Sequence, residues 1–74
     1  MLMFLLTRAQ LDALFFELRD VSLRTDTNPP AVLEEWETLR QTPGWTAILI
    51  PMHQVLEAAE WYLHTTGTQL SLSN

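Results

Sequence analysis

The sequence of 74 residues has no cysteine, no lysine and only two glycines. Without cysteine it can form neither a disulfide nor a thiolate zinc site, and it has no thiol nucleophile. Without lysine it has no Schiff-base chemistry, and the isolated Gly44 and Gly67 cannot build a phosphate-binding loop. The serines, at positions 22, 71 and 73, fall in predicted loop or tail. We therefore predict a protein that is not an enzyme and has no catalytic residue, no cofactor and no metal.

Positive charge is scarce as well. Nine acidic residues outnumber four arginines, which gives a net charge of −5. The arginines are scattered along the chain, at Arg8, Arg19, Arg24 and Arg40. A nucleic-acid binder needs clustered cations to displace counterions from phosphates, and a helix on a membrane surface needs a basic face. The composition therefore predicts no direct nucleic-acid binding and no membrane binding.

Long apolar runs are also missing. The opening run, Met1 to Leu6, is too short for the apolar region of a signal peptide or for a membrane span, so we expect a cytoplasmic protein. What is present is a 47% share of hydrophobic residues, too high for a disordered chain. We expect one small domain over residues 1–74. Such a core supplies only about 3–5 kcal/mol of net stability, which favours additional support from self-association.

The first predicted helix begins after Thr7. Thr7 and Gln10 have the spacing of a capping box, and Leu6 with Leu11 has that of a hydrophobic staple. Apolar residues then recur with a helical period, at Leu11, Leu14, Phe15, Leu18 and Val21. Polar residues and two prolines predict a long loop from Ser22 to Pro30.

A second helix is predicted from the end of that loop to about Gln41. Asn28 is a suitable N-cap for it, and Pro29 and Pro30 can occupy the first turn, where a missing amide hydrogen has no effect. The apolar stripe of this helix is Val32, Leu33, Trp36 and Leu39. Trp36 is therefore predicted to lie in the core.

Residues 42–51 allow two interpretations, because Ala47 to Ile50 resembles a buried strand while the apolar spacing also continues the helix that follows. Pro51 either kinks that helix or opens a new one. The third helix is predicted from Met52 to a left-handed cap at Gly67. Its apolar stripe is Met52, Val55, Leu56, Ala59, Tyr62 and Leu63.

These elements predict a mainly α fold, a compact three-helix domain whose short extended N- and C-terminal segments can form a small sheet. The alternative is an α/β fold with a three-stranded sheet from residues 1–6, 47–50 and 69–72. Right-handed crossovers would make neighbouring strands of that sheet parallel.

The polar face of the third helix carries the one chemically suggestive cluster, namely His53, Glu57, Glu60, Trp61 and His64. His53 with Glu57, and Glu60 with His64, are i, i+4 pairs that can poise a histidine or contribute to a metal site. The two histidines lie about 16 Å apart along a helix, so they cannot bind one ion together. The favoured interpretation is a solvated face with weak ion pairs.

Two aromatic residues lie off the predicted stripes. Trp61 interrupts the polar face of the third helix, and Phe16 lies beside the stripe of the first. An exposed aromatic side chain favours a partner that covers it, although a wider core face could absorb both residues. If a dimer forms, these aromatics are predicted to line its interface. Glu34 and Glu37 form an acidic stretch on the second helix that suits a basic partner.

The favoured function is a non-catalytic protein-protein interaction module, a small regulator or assembly factor that binds another protein and forms a homo-oligomer. Its predicted partner-binding residues are Trp61, Phe16, Glu57, Glu60, His64, Glu34 and Glu37. The first alternative is an acidic inhibitor that blocks a basic, nucleic-acid-binding site on a target complex. The second is a metal-binding or enzymatic protein that uses the His/Glu pairs of the third helix.

Overall fold

Three helices and a small sheet make up the computed structural model, which describes residues 1–72. In chain order the elements are β1 (Met3–Thr7), α1 (Arg8–Thr25), α2 (Val32–Gln41), β2 (Ala47–Pro51) and α3 (Met52–Thr66). The predicted mainly α fold with short strands is confirmed. None of the helices in the described part is long and apolar enough to cross a membrane.

The three-stranded α/β alternative is wrong. β1 pairs with β2 alone in the described chain, the pairing is antiparallel, and residues 69–72 form no strand. Because two helices separate the strands, the chain returns in the opposite direction, and the parallel crossover that the alternative assumed does not form. Residues 42–51 become a loop followed by β2, which resolves their ambiguity in favour of a strand. Ser73 and Asn74 lie outside the described residues.

The predicted start of α1 is confirmed. The amide of Gln10 donates to the hydroxyl of Thr7 at 3.1 Å, and the amide of Thr7 donates to the side-chain oxygen of Gln10 at 2.9 Å. This reciprocal capping box ends β1 and begins α1 within one residue. The apolar stripe predicted for α1 is buried in full.

The predicted end of α1 is wrong, because the helix continues to Thr25 instead of stopping before Ser22. Two contacts support the extra turn. The hydroxyl of Thr25 donates to the backbone oxygen of Val21 at 2.7 Å. Asp26 adopts a left-handed conformation, with a φ of 52°, and its amide donates to the backbone oxygen of Ser22. A left-handed cap of this kind is tolerated by aspartate, so the helix ends there without glycine.

The start of α2 also differs from the prediction. Ala31 precedes the helix as its N-cap and supplies no side-chain hydrogen bond, and Asn28 lies several residues outside. The amide of Val32 instead donates to a carboxylate oxygen of Glu57 on α3, at 3.1 Å. A long-range acceptor therefore replaces the local cap, which spacing along the sequence cannot reveal.

Arg8 joins the sheet to the end of α2. Its guanidinium donates to the backbone oxygens of Arg40 at 2.9 Å, Thr42 at 2.6 Å and Trp45 at 3.0 Å. These carbonyls lie at or just beyond a helix C-terminus, where backbone oxygens lack helical partners and a cation is favoured. The guanidinium also lies 4.0 Å from the centre of the Trp45 ring. These contacts hold the loop before β2 beside the end of β1.

The core lies between the inner face of the sheet and the helices. Trp36 is completely buried, as predicted from the stripe of α2. The strands contribute Leu6 and Ile50, each nearly inaccessible, and partly buried Phe4 and Ile48 pack against them on the same face of the sheet. The strands are therefore covered on one face.

The stripe predicted for α3 is correct at Val55 but wrong at both leucines. Leu56 and Leu63 are exposed, and Ala58 is buried in their place. The helix presents Ala58 to the core because its small side chain allows close approach, and half-buried Trp61 packs on the same side. The predicted stripe left Trp61 out, although Met52 and Tyr62 within it do pack against the core.

Candidate interaction surface

The polar side of α3 faces α2 and the segment before it. The contacting residues of α3 are three and four positions apart, and those of the facing segment are four positions apart. This is the spacing of residues on one side of a helix. The hydrogen bonds run from Trp36 Nε1 to Gln54 Oε1 at 3.0 Å, from Val32 N to Glu57 Oε2 at 3.1 Å, and from Trp61 Nε1 to the backbone oxygen of Asn28 at 2.9 Å. We call this row of three contacts the α2–α3 seam.

Trp61 and Glu57, two residues predicted to bind a partner, meet in this seam. Trp61 is half-buried against the core, and its indole N–H is satisfied by the loop before α2. Glu57 supplies the acceptor for the first amide of α2, where the helix dipole favours a negative charge. Both side chains therefore make hydrogen bonds within the chain.

Glu60 and His64 remain on the outside of α3. Both residues are exposed, and neither side chain has a hydrogen bond or an ion pair within residues 1–72. His53 is exposed one turn before Glu57. The described chain holds no group of three histidine or acidic residues that could bind a metal.

Phe16 is exposed on α1, beside two arginines. The guanidinium of Arg40 lies 4.3 Å from the centre of its ring, and that of Arg19 lies 5.8 Å away. Phe15 packs edge-on against the same ring at 5.4 Å. Cations above an aromatic face are attracted by its quadrupole, so Phe16 is partly covered by charge from its own chain.

The acidic stretch of α2 is partly paired within the chain. Glu37 forms an ion pair with Arg40 at 3.5 Å, and Arg40 also pairs with Asp12 of α1 at 2.9 Å. Glu35 accepts a hydrogen bond from Gln54 of α3. The side chain of Glu34 is exposed and has no such contact in the part of the chain that the structure describes.

A hydrogen bond between α1 and α3 joins Tyr62 and Glu17. The phenol donates to the Glu17 carboxylate at 2.8 Å. This hydrogen bond, with a smaller contribution from burial, raises the pKa of Tyr62 above its ordinary value. Below that pKa the phenol remains a proton donor and links the two helices.

The outer face of the sheet is an apolar surface that the described chain leaves uncovered by its own helices. Side chains alternate along a strand, so every second residue of β1 and β2 points away from the core. We call this surface the sheet face, and it consists of Met3, Leu5, Thr7, Ala47, Leu49 and Pro51. It contains no charged residue.

Leu5 and Leu49 form the centre of the sheet face. They are directly opposite each other in the register and are 62% and 56% exposed. The amide of Met52 donates to Leu2 and that of Arg8 donates to Thr46, which places the hydrogen-bonded pairs at the even-numbered residues of β1. Leu5 and Leu49 are therefore a non-hydrogen-bonded pair, in which side chains approach most closely.

This surface was not predicted from the sequence, although its signal is present there. A strand with one face in the core and one in water alternates apolar with polar residues, whereas residues 1–6 and 47–50 are apolar throughout. A strand that is apolar on both faces requires cover on both faces. The structure supplies cover on the inner face alone.

The C-terminal segment shows by contrast how the chain covers another apolar surface. Leu70 and Leu72 pack against the core over a groove between α1 and α3, whose volume is about 460 Å³. That groove is lined by the chain's own residues 68–72. The sheet face has no equivalent segment among residues 1–72.

Comparison of the chain with protein-family models, with curated proteins and with solved structures finds no match in any of the three.

Proposed function

We propose that this protein is a non-catalytic interaction module that acts in the cytoplasm by binding a protein through the sheet face. The observation that carries the proposal is the central pair, Leu5 and Leu49, which lie side by side and are each more than half exposed. Removing apolar surface from water contributes about 25 cal/mol per Å², so a protein partner that covers the pair gains stability from contact alone.

The sheet face differs from the other exposed leucines because its members are contiguous. Leu23, on α1, is 71% exposed, but its neighbours one turn before it are Arg19 and Asp20. A single exposed leucine among charged residues is common on protein surfaces. A continuous apolar face without charge is characteristic of the centre of an interface.

Affinity capture from the native host tests the proposal. The tagged chain is compared with a Leu5→Glu/Leu49→Glu double variant and with Leu23→Glu, a control that adds the same charge at an exposed leucine outside the sheet face. We expect the wild type and the control to retain a bound protein and the double variant to lose it. An untagged copy of the chain counts as a bound protein. Equal retention by all three would contradict the proposal.

The salt dependence of the captured complex distinguishes this function from the acidic inhibitor predicted as an alternative. A partner held by Glu34 and its neighbours through a basic site dissociates as ionic strength rises. A partner held by the sheet face remains bound, because apolar contact is not screened by salt. We expect retention at 0.5 M sodium chloride, and release there would favour the acidic inhibitor.

A further inference from the structure

We propose that the protein bound at the sheet face is a second copy of this chain, so that two copies pack with their sheet faces together. The inference rests on the proposed function, because it assumes that this face binds protein. It replaces the predicted dimer interface at Trp61 or Phe16, since the first is half-buried in the α2–α3 seam and the second lies beside two arginines.

Charge favours the sheet face as the place where two copies can meet. Each copy carries a net charge of −5, so most of its surface is repelled by the same surface of another copy. The six residues of the sheet face carry no charge. A face without charge brings no like charges together and offers no special attraction to a basic partner.

The exposed leucines of α3 do not offer an equivalent site. Leu56 and Leu63 lie two turns apart, with exposed Glu60 between them and His64 alongside. In a symmetric contact through this helix the Glu60 carboxylates of the two copies would be close together, which is unfavourable. Two copies therefore associate more readily through the sheet.

The size of the sheet face meets the requirement of a weak dimer. At roughly 200 Å² for a fully exposed large side chain, the six residues expose on the order of 500 Å² per copy, or about 1,000 Å² for two copies. That area is at the lower limit for a specific interface, the range in which weak and transient complexes fall.

The register makes the sheet face suitable for a two-fold interface. Leu5 and Leu49 are each the third of five residues in their strands, so the pair lies at the centre of the face. A two-fold axis that lies parallel to the sheet and above this centre brings the same pair of the second copy against it, at the spacing of about 10 Å between stacked sheets. The leucines of both copies then fill the interface.

Sedimentation of the purified chain over about 1–200 µM tests the inference, because this range brackets a weak dimer. We expect the mass to rise from 8.5 kDa to twice that value as the concentration increases.

Leu5→Glu and Leu49→Glu should each weaken association at least tenfold, since each places like charges within an apolar interface. Leu49→Thr, which retains a strand-favouring side chain, should weaken it less, and Leu23→Glu should leave it unchanged. Added salt should strengthen association by screening repulsion between the copies.

Thermal unfolding of each variant, followed by circular dichroism, shows whether a variant that stays monomeric is still folded. A wild-type chain that stays monomeric throughout the range would overturn the inference, as would a dimer that survives Leu49→Glu. If capture from the host then retrieves a different protein that the double variant loses, the proposed function holds without a second copy. If the chain stays monomeric and capture also retrieves nothing dependent on the sheet face, both proposals fail.

Discussion

The polar groups of the α2–α3 seam are paired within the chain, whereas the apolar side chains of the sheet face are open to water. In the seam, the indole of Trp61 and the carboxylate of Glu57 each satisfy a backbone group of the segment leading into α2. On the sheet face, Leu5 and Leu49 contact each other and water. In the seam, polar groups are therefore used within the fold, whereas on the sheet face apolar side chains are left exposed.

The comparison shows that a polar helix side can serve the fold and an apolar strand can serve recognition. The start of α2 has no side-chain cap, so a carboxylate from α3 stabilises the fold by more than its exposed position suggests. Leucines on the outer side of a strand add little to the fold because they stay in water. We expect substitutions in the seam to change the free energy of unfolding and substitutions on the sheet face to change association.

The largest effect is expected for Trp61→Ala. The change removes a half-buried aromatic side chain from the core and leaves the backbone oxygen of Asn28 without its donor. We expect a loss of about 2–3 kcal/mol in the free energy of unfolding, less than for a fully buried tryptophan. Urea denaturation measures it. Trp61→Phe, which keeps an aromatic ring but not the N–H, should recover more than half of the loss.

A Trp61→Ala protein that unfolds like the wild type but no longer associates would reverse the comparison. Trp61 would then be the partner anchor that the sequence suggested. The control is sedimentation without urea, under conditions in which the variant is folded. We expect the dimer to be unchanged.

A smaller effect is expected for Glu57→Ala. The substitution leaves the first amide of α2 without its acceptor and removes a negative charge from the helix N-terminus. We expect a loss of about 1 kcal/mol in the free energy of unfolding, the usual worth of an N-cap. Glu60→Ala, one turn away on the same helix and exposed, is the matched control and should be neutral. Equal effects of both substitutions would show that general charge, and not the contact with Val32, matters.

The smallest effect is expected for Tyr62→Phe, which sharpens the comparison by testing a polar contact of α3 outside the seam. Loss of the hydrogen bond to Glu17 should reduce the free energy of unfolding by about 0.5 kcal/mol at pH 7. Because the folded-state pKa of Tyr62 is raised, its contribution is present below the ordinary value near 10 and is lost as the pH rises through the raised pKa. The difference between wild type and variant should therefore shrink above about pH 10. A difference independent of pH would contradict this account.

Local signals predicted much of the fold, because they act between residues close together in the sequence. The capping box at Thr7 and Gln10, the buried stripe of α1 and the left-handed cap at Gly67 were all predicted correctly. The start of α2 was not, because its first amide is satisfied by Glu57, a residue 25 positions away. Long-range partners of this kind leave no periodic pattern in the sequence.

The candidate site was harder to predict than the fold. Trp61 was assigned to a surface because it departs from a simple 3.6-residue stripe, but a half-buried aromatic side chain reaches the core from the edge of that stripe. The apolar segments around Leu5 and Leu49 were compatible with strands, but the second was equally compatible with a helix, and neither revealed which face a helix would cover. Only the register and the positions of the helices show that one face remains open.

Thiol cross-linking with a bifunctional reagent tests the central claim most directly, namely that the open sheet face is where a second copy binds. The chain has no cysteine, so Leu49→Cys introduces a single thiol at the centre of the face, and Leu23→Cys introduces one at an exposed leucine outside it. At a concentration that gives a dimer, a short bismaleimide, which bridges thiols that face each other across sheets about 10 Å apart, is expected to convert most of the Leu49→Cys protein to a covalent pair and to leave Leu23→Cys mainly monomeric. Equal and slow cross-linking of both variants, as random collision produces, would contradict the claim.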